Sequence, residues 1–241
     1  MAVPPTPGKA GPRSAEPTRL AARVRSGTMN QQRLTTWHAR LSRAANARLA
    51  ATAWPPADRR SFVSTFRDDA GHRRPVDGPF LAHVTGITPS SIAGESPDCV
   101  LWTQVASSGS ERADDRILAA TTGHSSALAM HLRESGIEIW TETELACLHA
   151  LTWLGPAWEA RALAAARFLI DELQPDNGTN HPWAIHWFAW LESTQSNTDA
   201  GLYAQSLLHN AMTSGGGVPD LFSAIILHDA ARWIEDRLAA C

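Results

Sequence analysis

From Met29 onward, apolar residues recur at intervals of three and four: Leu34, Trp37, Leu41, Ala45 and Leu49. That is the stripe of an amphipathic helix. It stops ahead of Trp54-Pro55-Pro56, where proline forbids continuation, so a basic amphipathic helix is expected within 29–54. Arg33, Arg40, Arg43 and Arg48 flank the stripe. Two readings follow: a surface helix that seeks an anionic membrane or nucleic acid, or the first core helix with solvated arginines. With no aromatic interleaving and no nucleic-acid motif, the core helix is the expectation. Residues 1–28 are rich in Pro, Gly, Ala and Arg without an apolar period, and read as a disordered basic tail. They resemble either an organellar transit peptide or an extension ahead of a start at Met29.

Turn formers then crowd the chain, as in Asp77-Gly78-Pro79 and Thr88-Pro89-Ser90-Ser91. The apolar runs Phe80 to Val84 and Val100 to Val105 lie between them, as strands or buried loop, and residues 55–110 are expected to be an irregular connector with at most a small hairpin. From 111 the pattern is helical to the end. Asp114 to Thr121 forms one short segment, and another runs from Ser125 or Ser126 through Leu132 to a stop at Gly136. Thr141 with Glu144 is a capping-box pattern ahead of Leu145 to Leu154. Gly155-Pro156 closes that helix and opens the next, over 157–173. Asn180 caps a helix reaching Leu191, its partner spans Asp199 to Met212, and Asp220 caps the last helix, which ends near Leu238.

Two of these stretches align. Leu148-His149-Ala150-Leu151-Thr152-Trp153-Leu154 matches Ile185-His186-Trp187-Phe188-Ala189-Trp190-Leu191 at an offset of 37, with His and Trp in identical places. Leu163, Phe168 and Leu169 match Leu202, Leu207 and Leu208 at an offset of 39, and His228 with Trp233 is a looser third copy. A period near 40 with paired helices marks helical hairpins, each unable to bury its apolar face alone. The fold expected is all-α: antiparallel helical hairpins over 111–241, stacked as a partial α/α toroid or short α-solenoid. Over 111–238 the rhythm resembles the α/α-toroid proteins, an architecture shared by six-hairpin glycosidases, lanthionine cyclases and terpenoid cyclases. The resemblance rests on period, implies fold alone and transfers no activity.

Charge sharpens the division. The chain has 241 residues and a formal net charge of −3, yet its first 60 residues hold eleven basic side chains against two acidic ones. The remainder holds ten against 22. All but one of the basic residues are Arg, a bias read as genome base composition. The absence of any run of ~18 apolar residues excludes a membrane-spanning helix. Three cysteines without a C-x-x-C pair exclude a disulfide scaffold or zinc ribbon. No dinucleotide, P-loop, nucleophile-elbow or H-E-x-x-H motif occurs.

Candidate chemistry concentrates in residues 174–190. Asp176, Asn177 and Asn180 offer directional hydrogen bonds, and Trp183, Trp187 and Trp190 offer faces for stacking on a sugar ring. Here Asp176, His181 and His186 are the candidate catalytic groups. The same spacing also fits one buried tryptophan face with turn and capping residues ahead of it. His149, His186 and His228 occupy equivalent repeat positions, so they either converge on one concave surface or pack separately against backbone carbonyls. His181 and His186, five apart, point about 140° apart on a helix, so no metal site or other cofactor is expected. Two functions stand: a cytoplasmic helical-repeat scaffold or interaction module for a protein partner, without catalytic motif, or an enzyme or binder for a carbohydrate-like small molecule at the Asp176–Trp190 loop-helix. Nucleic acid is not a favoured partner.

Overall fold

A computed structural model describes residues 16–89, 95–107, 126–177, 181–214 and 216–240. Every regular element among them is helical, as expected. Nine α-helices are described: α1 (Glu16–Leu49), α2 (Arg59–Thr65), α3 (Asp77–Thr85), α4 (Pro97–Ala106), α5 (Ile137–Trp153), α6 (Glu159–Glu172), α7 (Ile185–Gln195), α8 (Thr198–Ser214) and α9 (Leu221–Ala239). The short helix expected over Asp114 to Thr121 lies outside the described residues, as does Asn180.

The first helix obeys its stripe: Leu34, Trp37, Leu41, Ala45 and Leu49 are all buried. It begins at Glu16, so residues 16–28, read as disordered from composition, extend a helix placed at 29–54. Its long packing face lies against α9 and its next against α7. Thus α1 is a core helix, the blander of the two expectations.

The connector is where the sequence reading fails most clearly. Residues 55–110 hold α2, α3 and α4, and the runs expected as strands or loop lie inside α3 and α4. Phe80, Leu81, Ala82, Leu101, Trp102 and Val105 are buried. A helix enclosed on several sides shows no amphipathic period, which is why the pattern read as irregular.

Beyond 126 the hairpins are present: α5 packs on α6 and α7 on α8, while α9 takes α1 as its neighbour. Beyond 126, helices α5, α7 and α9 carry most of the buried side chains; α1, α6 and α8 bury one stripe each. Gly155, at φ 97, supplies the left-handed residue that lets Pro156 restart the chain. Asp220 caps α9 by accepting the Ser223 N–H at 2.9 Å. Two start signals are misplaced. Thr141 and Glu144 lie inside α5, which begins at Ile137. Helix α7 begins at Ile185 rather than at Asn180, because Ala184 stands at φ 57, outside helical space.

Candidate functional site

Two polar clusters sit back to back on the turn His181-Pro182-Trp183-Ala184. The outer one joins three elements. Arg74, ahead of α3, donates its backbone N–H to Asp77 Oδ2 at 2.7 Å, so the first residue of α3 fixes the loop that carries the guanidinium. That guanidinium pairs with the Glu142 carboxylate on α5. The same carboxylate oxygen accepts from His181 Nδ1 at 2.7 Å, with the Trp183 indole N–H 3.4 Å away. An ionised carboxylate only accepts, so the His181 proton sits on Nδ1 and Nε2 carries the lone pair. The His181 ring stands edge-on to Phe222, which the Arg74 guanidinium also approaches. Glu142 and the His181 side chain keep about a tenth and a sixth of their surface exposed, and Arg74 about a third.

Electrostatics separates these groups. Burial and the Arg74 charge pull the His181 imidazole down to about 4, against the opposing fields of Asp220, Asp77 and Asp68. The ring is neutral at physiological pH. Burial pushes the Asp77 carboxyl up, opposed by Arg74. Beside them, Cys99 on α4 is buried and its thiol is raised to about 12 by burial and by Asp98, so it is no nucleophile.

The inner cluster is sealed. His149 on α5 and His186 on α7 have no exposed surface, and their rings meet at 4.2 Å between centroids. The aligned stretches therefore do bring their histidines together, but in the core rather than on a concave surface. His186 Nε2 lies 2.6 Å from Thr152 Oγ1, whose hydroxyl donates to the His149 carbonyl, while His186 Nδ1 is buried without a partner. Asp229 on α9, also fully buried, completes the group: Oδ2 accepts from Trp153 Nε1 at 2.9 Å and faces His149 Nε2 at 3.3 Å. Arg232, whose Nη2 lies 3.0 Å from both Asp229 Oδ1 and His83 Nε2, supplies the counter-charge. Burial alone would raise the Asp229 carboxyl; His83 and His149 outweigh it and hold the group well below its ordinary value. Desolvation holds both His149 and His186 below theirs.

The other sequence candidates scatter. His228 is half-buried against Trp54, away from the other two histidines, and its neighbour Asp229 occupies the shared position instead. Trp183 and Trp187 are core residues, so they form no stacking platform, and Trp190 stacks on Trp187 at 4.6 Å. Asp176 is exposed in a short 3-10 turn that also holds Asn177, apart from both clusters. Arg74, Asp77, Glu142 and His83 carry the site without having been singled out. Apart from the local Arg74–Asp77 contact, their partners lie tens of positions away or more, so local sequence held little signal for them.

Paired helices carrying this histidine–carboxylate constellation define an all-α protein whose candidate site must be read on its own chemistry. No protein-family model, no curated protein and no solved structure matches the chain.

Proposed function

We propose that the chain is a binding protein for a small hydroxylated, carbohydrate-like molecule held at His181, Glu142 and Arg74. The observation that carries the reading is the His181–Glu142 pair at 2.7 Å, beside a guanidinium that reaches the surface. Glu142, fixed by the neutral His181 ring, accepts a hydroxyl hydrogen, and Arg74 donates to oxygen. Perturbed ionisable groups gathered near the surface are a recognised mark of function. Binding is favoured over catalysis on acid–base grounds. An imidazole held near 4 is a weak base, and a ligand hydroxyl is a far weaker acid than any group it could deprotonate efficiently. Nothing in the cluster offsets that mismatch. The buried, unpaired thiols of Cys99 and Cys147 fit the reducing cytoplasm.

The test is calorimetric titration of a panel of monosaccharides and polyols at pH 7. At least one ligand should bind, and Glu142→Gln and Arg74→Met should each weaken it at least tenfold. Unchanged affinity in both variants, or silence across the whole panel, contradicts the reading.

A second reading, a non-catalytic interaction module, draws on the exposed apolar residues Met130 and Ile137. Both line a groove of about 430 Å³ with Trp140 and Phe168. Loss of a protein partner on Ile137→Asp, with small-molecule binding intact, would favour it.

A further inference from the structure

The turn that presents His181 is strained, and the strain is held from inside. Ala184 has φ 57 and ψ 10, a left-handed conformation that costs an L-residue with a Cβ. Its backbone N–H does not enter the helix that follows; it donates to His149 Nδ1 at 3.2 Å, in the fully buried cluster. That bond requires Nδ1 unprotonated, so the His149 proton sits on Nε2, which lies 3.3 Å from the Asp229 Oδ2 charge in an electrostatic contact outside hydrogen-bond geometry. Asp229 is in turn fixed by Trp153 from α5 and by Arg232 from its own helix. A continuous chain of contacts therefore runs from Asp229 through His149 to Ala184. Three residues before Ala184 stands His181, and between them Trp183 reaches the same carboxylate oxygen that His181 engages.

We propose that Asp229 and His149 are positioning residues: they select the imidazole tautomer that clamps Ala184 in its left-handed state and thereby seat His181 on Glu142. The inference rests on the ligand-binding reading for its purpose but not for its test, which needs no ligand. The negative charge of Asp229 beside Nε2 favours the proton on that nitrogen. In Asp229→Asn that charge is gone, and an amide N–H₂ turned to Nε2 shifts the proton to Nδ1, where it opposes the Ala184 N–H. The clamp opens, Ala184 relaxes toward negative φ, and His181 withdraws from Glu142 toward solvent. The charged groups facing His181 are Arg74, Asp77 and Asp68 from the α2–α3 region, Glu142 from α5 and Asp220 ahead of α9. None is altered by the substitution.

The readout is the ¹⁵N titration of the His181 ring in the full chain. In the parent protein its midpoint is expected near 4; in Asp229→Asn it should rise toward the ordinary histidine value of 6.5. Adding Ala184→Gly to that variant should bring the midpoint back down, because glycine adopts positive φ without a Cβ penalty. That rescue is not expected if Asp229 merely stabilises the core. Ala184→Val, which leaves the buried charge alone but resists the left-handed state, should raise the midpoint as well, and serves if Asp229→Asn does not fold. A midpoint that stays near 4 in Asp229→Asn or in Ala184→Val overturns the proposal. So does a raised midpoint that the glycine fails to restore. Failure of the sugar panel, by contrast, leaves these titrations untouched.

Discussion

Glu144 shows how one side chain can be legible in type and misread in role. Its spacing from Thr141 is that of a capping box, yet it lies a full two turns into α5 and has no exposed surface. Its carboxylate accepts the backbone N–H groups of Leu128 and Ala129 at 2.6 and 2.7 Å and the Trp140 indole at 3.0 Å. The residue does satisfy orphan donors, but those of the incoming segment rather than of its own helix. Burial raises its pKa and these three donors pull the other way. Glu144→Gln keeps the shape but turns an amide N–H₂ toward donors. A loss of about 2–3 kcal/mol in urea unfolding is expected. A loss under about 0.5 kcal/mol would mean those hydrogen bonds add little. At this scale the sequence signals residue type well, because Glu, His and Trp are costly to bury without partners. It cannot name the partner, which in this case lies fifteen positions back.

Among the elements, legibility follows exposure. The stripe of α1 and the hairpins α5–α6 and α7–α8 have one solvated side and one buried side, so their periods are written in the chain. The buried helices α3 and α4 have no such contrast. Where two helices approach closely, a small residue gives the contact away only in the structure. Gly201 on α8 faces Glu192 on α7, and a Cβ there would come within 2.8 Å of the glutamate side chain. Glu192 in turn accepts the Trp37 indole N–H from α1, tying three helices together. Helix propensity alone says Gly201→Ala should stabilise α8 by about 1 kcal/mol. The packing predicts the opposite sign, since Glu192 must leave Trp37. Thermal unfolding of Gly201→Ala and Trp37→Phe, singly and combined, checks this. The single alanine variant should be destabilised, and the two changes should be less than additive. A more stable alanine variant would show that Glu192 yields without loss.

Across the whole molecule, the polar interior sets a pH limit. His149, His186 and His181 all have folded-state values below the ordinary 6.5, chiefly through desolvation. The unfolded chain takes up protons near 6.5 and the folded one resists them. Stability is therefore full above that value and falls as pH drops beneath it, by at most about 1.4 kcal/mol per pH unit per histidine. For His181 the loss levels off near 4. Melting temperature should decline steadily from pH 7 to pH 5, and His186→Gln should flatten the slope; a flat profile in the parent protein contradicts neutral burial. The inner cluster was partly legible, since the aligned His149 and His186 do meet. Of the outer site only His181 was, because Arg74 and Glu142 are brought to it only by the packing of α3, α5 and the turn before α7.

The protonation state of the His181 ring is the most direct measure of the proposed site. In a long-range ¹H–¹⁵N spectrum at pH 7, His181 should be neutral with its proton on Nδ1, and should remain so on acidification until pH approaches 4. Glu142→Gln should abolish that single-tautomer signature. A His181 that titrates near 6.5, with mixed tautomers and no response to position 142, would contradict the histidine–glutamate pair on which the proposed binding site depends.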